Sequence, residues 1–126
     1  MSVPPRILYV EDNKDSCELL TMMLPLYSDW KCSITTVDNA DTALLLMQKQ
    51  SFDIYIVDYG LPGISGIELC QQIRKTDSDT PIVFYTGKSQ EVDRKQALEA
   101  GANEYLVKPN DLIKLTETIK NLLNKK

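Results

Sequence analysis

The chain has 126 residues, 43% hydrophobic and 25% charged, the balance of a soluble globular protein of one domain. Its net charge of −4 argues against direct binding of nucleic acid or an anionic membrane, and no apolar run approaches the ~20 residues that span a bilayer. Histidine is absent, which excludes an imidazole general base, a histidine-bound metal and a phosphohistidine on this chain.

The first residues, Met1 to Arg6, lack the apolar segment of a secretory signal. Cys17, Cys32 and Cys70 are odd in number and lack metal spacing, so reduced thiols and a cytoplasmic location are expected. Arg6 to Val10 is a short apolar strand, followed at once by Glu11, Asp12 and Asn13. A helix is expected from about Lys14 to Leu24, with Cys17, Leu20 and Leu24 on one face, ended or kinked by Pro25. Ser33 to Val37 is a β-branched, more polar strand, and a helix from about Asn39 to Gln50 turns Ala40, Ala43, Leu44 and Met47 inward.

Ile54 to Val57 suits a strand buried on both faces of a parallel sheet. It ends abruptly in Asp58 and in a loop rich in Gly60, Pro62, Gly63 and Gly66. Ser65 to Glu68 fits a capping box, with Ile67, Cys70 and Ile73 following on one face. Pro81 to Tyr85 is another buried strand, closed by Thr86, Gly87 and Lys88. The helix from about Gln90 to Ala100 has little beyond Val92 and Leu98 to bury, and Gly101 suits a left-handed C-terminal position. Glu104 to Val107 is the last strand, closed by Lys108 and Pro109. The final helix, about Asp111 to Asn124, carries Leu112, Leu115, Ile119 and Leu122, and Lys120, Lys125 and Lys126 complement its dipole.

Five strands alternating with five helices predict a doubly wound α/β fold with a parallel, flavodoxin-like sheet of order 2-1-3-4-5. That order places Glu11, Asp12, Asp58, Thr86 and Lys108 together at the carboxyl ends of the strands, where such sheets bind ligands. Singly, each has a duller explanation: helix-start acids, a cap, a solvated lysine. Together they make a phosphoryl-accepting pocket the better reading.

The runs Val10-Glu11-Asp12, Ile56-Val57-Asp58, Leu61-Pro62-Gly63 and Tyr85-Thr86-Gly87 resemble the response regulator receiver domain, the CheY-like family. Ala97 to Ala102 and Tyr105 to Pro109 continue the likeness over nearly the whole chain. The resemblance implies that Asp58 accepts a phosphoryl group and that Glu11, Asp12, Asp58 and the Gly60 backbone carbonyl hold Mg²⁺. It implies that Thr86 is the switch hydroxyl, that Tyr105 is the aromatic that follows it, and that Lys108 pairs with the phosphate. Lys108-Pro109 matches a peptide commonly cis in the family. Gly60 and Lys88 occupy variable positions that tune the phosphorylated lifetime, Tyr59 is bulkier than the usual aliphatic residue, and Leu61 replaces a common methionine.

The chemistry agrees with those roles. Three crowded carboxylates favour a hard cation, and Mg²⁺ takes such oxygens while keeping waters. The expected donor is a sensor histidine kinase or a histidine phosphotransfer protein. The expected output is a change of the face formed by the fourth helix, fifth strand and fifth helix, with Thr86 moving toward the phosphoryl group and Tyr105 swinging into the space it leaves. The downstream target protein and a phosphorylation-dependent homodimer stay open. The whole chain is expected to be a receiver domain without an output domain, acting alone, as a phosphorelay intermediate, or as a piece of a longer regulator. It is not expected to be an enzyme beyond its own phosphorylation and dephosphorylation. An aspartyl-nucleophile phosphohydrolase of the haloacid dehalogenase type needs a second Asp where Gly60 stands, and a flavodoxin-like nucleotide or flavin module would meet repulsion from Glu11 and Asp12.

Overall fold

Short runs of β-branched, aromatic and aliphatic residues become the five strands of a single parallel sheet: β1 (Arg6–Val10), β2 (Ser33–Val37), β3 (Ile54–Val57), β4 (Ile82–Thr86) and β5 (Glu104–Val107). The computed structural model describes residues 4–26 and 31–124. Strand order is β2-β1-β3-β4-β5, as the alternation of strands and helices predicts. β3 and β4 are buried at every position, whereas β2, at an edge, leaves Ser33 and Thr36 exposed. Its more polar sequence follows from that place.

The helices are α1 (Lys14–Met23), α2 (Ala40–Lys49), α3 (Gly66–Thr76), α4 (Glu91–Ala100) and α5 (Leu112–Asn124). Two apolar layers result from strand alternation. Ile7, Tyr9, Ile54, Ile56, Val83 and Tyr85 pack with Leu20 and Leu24 at the end of α1 and with Leu115 and Ile119 of α5. Leu8, Val10, Tyr55, Val57 and Phe84 pack with Ala40 and Ala43 of α2, Leu69, Cys70 and Ile73 of α3, and Ala97 of α4.

Pro25 lies in a 3-10 turn, Leu24–Leu26, which ends α1 as expected of a residue without an amide donor. Asn13, Asn39 and Ser65 cap α1, α2 and α3, each accepting a backbone N–H from the third residue on. On α3 Ile67, Cys70 and Ile73 all pack on one core layer as expected, Ile67 half-buried, and Leu69 joins them fully buried. Several sequence expectations need correction. On α4 Val92 is exposed and Leu98 half-buried, and Ala97 alone is fully buried. Strand β4 reaches Thr86, one residue later than its apolar run. The last described turn of α5 has no basic residue; Lys120 lies before it, and Lys125 and Lys126 fall outside the described residues.

Gly101 closes α4 in the left-handed region at φ 116°, and a Cβ there would also lie 2.6 Å from Arg74 Cγ. Arg74, at the end of α3, spreads its guanidinium over the Gly101, Asp77 and Thr80 carbonyls and Asn103 Oδ1, tying the α4–β5 turn to α3.

Candidate functional site

The strand ladders continue one residue past their ends. Glu11 N donates to Val37 O at 2.9 Å, Asp58 N to Val10 O at 3.1 Å, and Lys108 N to Thr86 O at 2.8 Å. These bonds tie the carboxyl end of β1 to those of β2 and β3, and that of β4 to that of β5, and the side chains just beyond the strand ends meet. One carboxylate oxygen from each of Glu11, Asp12 and Asp58 lies within 4.8 Å of the others. Asp12 is exposed, the Asp58 side chain is 14% exposed, and the Glu11 side chain is 1% exposed.

Buried Glu11 is satisfied on both oxygens. Oε1 accepts from the Tyr9 hydroxyl at 3.1 Å and from Lys108 Nζ, and Oε2 accepts from Asn13 N at 3.1 Å. The Lys108 ammonium pairs with Glu11, lies 3.6 Å from Asp58 Oδ2 and sits 5.8 Å from the Tyr85 ring centroid. The Lys108–Pro109 peptide is cis. Burial is the largest influence on Glu11 and raises its pKa; the Lys108 hydrogen bond opposes this, the Asp58 charge adds to it, and the net direction is upward. Burial, reinforced by Glu11, pushes the Tyr9 phenol well above its usual range and keeps it a protonated donor. Three hard oxygens, one of them on a carboxylate that resists ionising, are a donor set suited to a small divalent cation, which would reverse that resistance. The residues present fit Mg²⁺. Gly60 lies in the exposed turn two residues past Asp58.

Beside this cluster, Gly66 at the start of α3 is a close-approach position, since a Cβ there would lie 2.2 Å from Asp58 O. The backbone of Asp58 is therefore approached closely from the helix side. Gly66 N also donates to Tyr59 O at 3.0 Å, closing the loop that carries Gly60 and Pro62.

Thr86 is 2% exposed, and its Oγ1 accepts from Lys88 N at 3.3 Å. Tyr105 donates its hydroxyl to Lys88 O at 2.8 Å and stacks on Phe84, with centroids 5.8 Å apart at 21°. Tyr105 is 9% exposed and held by Phe84 and Lys88, the position from which the swing expected on phosphorylation would start. Thr86 and Tyr105 are thus joined through one residue of the β4–α4 turn. That turn also reaches the loop after β3: Lys88 Nζ lies 4.9 Å from the Tyr59 ring centroid, and the Tyr59 hydroxyl bonds Gln96 Oε1 on α4.

Glu11, Asp12, Asp58 and Lys108 therefore converge as their strand-end positions imply, with Thr86 and Tyr105 linked alongside. Sequence reasoning missed Tyr9, Gln96 and the contacts of Lys88. Tyr9 had a signal, because a residue two positions before Glu11 in a strand shares its face. Gln96 had none, being one exposed polar residue on a polar helix.

Comparison with known proteins agrees with this geometry. A family model described as the response regulator receiver domain matches residues 7–120. The transcriptional regulatory protein BaeR of Escherichia coli is 36% identical over 121 residues, 96% of this chain and 49% of that protein. The chain spans about half the length of the curated relatives it matches. A crystal structure of a response regulator of Chloroflexus aurantiacus superposes with a TM-score of 0.88 at 30% identity, covering 97% of this chain and 99% of the other. The receiver domain of a Pseudomonas aeruginosa sensor histidine kinase, described with a magnesium ion coordinated in its active site cleft, gives a TM-score of 0.84 at 27% identity over 97% and 99% of the chains.

Proposed function

The chain belongs to the response regulator receiver domain family, whose members partner with histidine kinases in two-component systems, and from that premise we propose that Asp58 accepts a phosphoryl group from a partner's phosphohistidine. In that step the P–N bond of the donor breaks, an Asp58 carboxylate oxygen bonds phosphorus, and the imidazole leaves with its electron pair. The observation that carries the reading is the meeting of the Glu11, Asp12 and Asp58 carboxylates within 4.8 Å, with the Lys108 ammonium 3.6 Å from Asp58 Oδ2.

Glu11, Asp12, Asp58 and the Gly60 carbonyl hold Mg²⁺ in this reading; when bound it neutralises charge on the carboxylates and on the phosphoryl oxygens. Asp58 presents a carboxylate that is 14% exposed beyond the end of β3. Lys108 turns its ammonium from Glu11 to a phosphoryl oxygen, a short move because it already lies between the two carboxylates. Thr86 donates its hydroxyl to another phosphoryl oxygen and so withdraws Oγ1 from Lys88 N. Lys88 O also accepts from Tyr105, so the same move displaces the anchor of that ring and biases the α4–β5–α5 face. The partner reading that face is a protein target.

The site transfers a phosphoryl group to itself rather than turning over substrates, since Gly60 offers no general acid two residues after the nucleophile. Incubation with acetyl phosphate and Mg²⁺, followed by intact-mass analysis, tests the proposal. One labile phosphoryl adduct is expected on the wild type and none on Asp58→Ala. An adduct surviving Asp58→Ala, or continued hydrolysis of a generic phosphate ester through many equivalents, would overturn it.

A further inference from the structure

Glu11 is buried, so its orientation is set by partners rather than by water. Among the described residues it has three: Lys108 Nζ and the Tyr9 hydroxyl on Oε1, and Asn13 N on Oε2. These partners differ in permanence. Lys108 is shared with Asp58 and, on the reading above, is needed by the phosphoryl group. Asn13 N is fixed by its backbone at the start of α1. Tyr9 is fixed by packing: it is 0% exposed, it is registered between Thr36 of β2 and Ile56 of β3, and its ring lies in the layer beneath α1 and α5.

We infer that Tyr9 is a positioning residue for the cation site, its hydroxyl holding Glu11 Oε1 in place when Lys108 departs. The inference rests on the Mg²⁺ assignment proposed above. With Lys108 turned toward Asp58, each oxygen of Glu11 keeps one donor, Tyr9 on Oε1 and Asn13 on Oε2. Without the phenol, Oε1 has no protein donor and the carboxyl rotates or tilts about the single Asn13 bond. A hydroxyl that orients a metal-binding carboxylate from behind belongs to the class of outer contacts whose loss costs about 10- to 100-fold in metal affinity. Strand geometry explains why the residue is at position 9: side chains two apart share a face, and an extended phenol reaches one strand step along that face to a carboxylate.

The test is calorimetric titration of Mg²⁺ into the full chain in saturating beryllofluoride, the phosphoryl mimic that draws Lys108 from Glu11, comparing wild type, Tyr9→Phe and Ile56→Val, with thermal unfolding of each protein in Mg²⁺-free buffer without beryllofluoride. Tyr9→Phe keeps the ring and removes only the hydroxyl. Its Mg²⁺ dissociation constant is expected to rise about tenfold. Ile56→Val, a packing defect beside Tyr9 in the same layer, is expected to lower the unfolding midpoint while leaving the dissociation constant within about twofold of wild type. Equal affinity in Tyr9→Phe and wild type overturns the role of Tyr9 and leaves the metal site standing. Equal weakening by Ile56→Val overturns it too, since general loosening would then account for the effect. A wild type that binds no Mg²⁺ overturns both the inference and the site reading on which it rests. Should Tyr9→Phe fold poorly, the Mg²⁺-induced shift of the Glu11 side-chain carboxyl carbon in wild type gives the answer: an accompanying shift of the Tyr9 phenol resonances supports the contact, and an unmoved Tyr9 overturns it.

Discussion

The two halves of the site edge are held with different firmness. On the β1–β3 side, Glu11 is buried with both oxygens bonded, Asn13 caps α1, and Gly66 lets α3 press against the backbone of Asp58. On the β4–β5 side, Lys88 to Val92 are exposed, Gln90 gives α4 no side-chain cap, and only Ala97 of that helix is fully buried. Charge stabilisation in phosphoryl transfer needs groups placed in advance, and transmission needs an element that can shift at low cost. One sheet provides both because the two halves belong to the same continuous ladder while the helices beside them are capped and packed unequally.

The comparison breaks most severely at Gly66. Gly66→Ala puts a Cβ against Asp58 O and 3.1 Å from Phe84 Cε2, and backbone cannot yield as a flexible side chain can. A loss of about 2–3 kcal/mol in unfolding free energy is expected in denaturant titration, of the size of other overpacking defects. An unchanged midpoint would mean that the firm half has slack.

A smaller effect is expected from the charge of Glu11. Its pKa is raised in the folded protein, chiefly by burial, so below its ordinary carboxylate range the group has no stability cost. As pH rises through the raised value, folding must accommodate a buried charge and stability is lost. In Mg²⁺-free buffer, wild type should therefore lose stability relative to Glu11→Gln as pH rises through that interval, and Mg²⁺ should shrink the difference. Thermal unfolding across a pH series checks the sign; a gap that closes with rising pH contradicts it.

The smallest expected effect sharpens the contrast from the other side. Gln90→Ser supplies the missing cap of α4 and should stabilise that helix by about 0.5–1 kcal/mol. Hydrogen exchange should slow within residues 91–100 while Mg²⁺ affinity stays the same. Slower exchange spread evenly over all helices would erase the distinction between the halves.

Much of this architecture could be read from the chain. The apolar run Ile54–Val57 ending in Asp58 specifies a buried parallel strand and a carboxylate at its mouth, and the alternation with helices specifies which strand ends lie together. Local patterns could also place Asn39 and Ser65 near helix starts. They could not show that Tyr105 stacks on Phe84 and bonds Lys88 O, because these contacts come from another strand and from a carbonyl in a turn. Leu69 of α3 and Ala97 of α4 were missed for a similar reason: the buried side of each helix is chosen by its neighbours, and on α4 the smallest residue is the one that fits. The pairing of Lys108 with Glu11 spans 97 positions and leaves no trace in either local sequence.

The central claim is that events at the firm acidic half move the loosely held half. The most direct measurement is the amide spectrum of the isotopically labelled protein on adding beryllofluoride with Mg²⁺. The account predicts shifts at Glu11, Asp12 and Asp58 together with Thr86, Lys88, Tyr105 and residues 91–100, all lost in Asp58→Ala. Shifts confined to the carboxylates and their neighbours, with Lys88 and α4 unmoved, would contradict it.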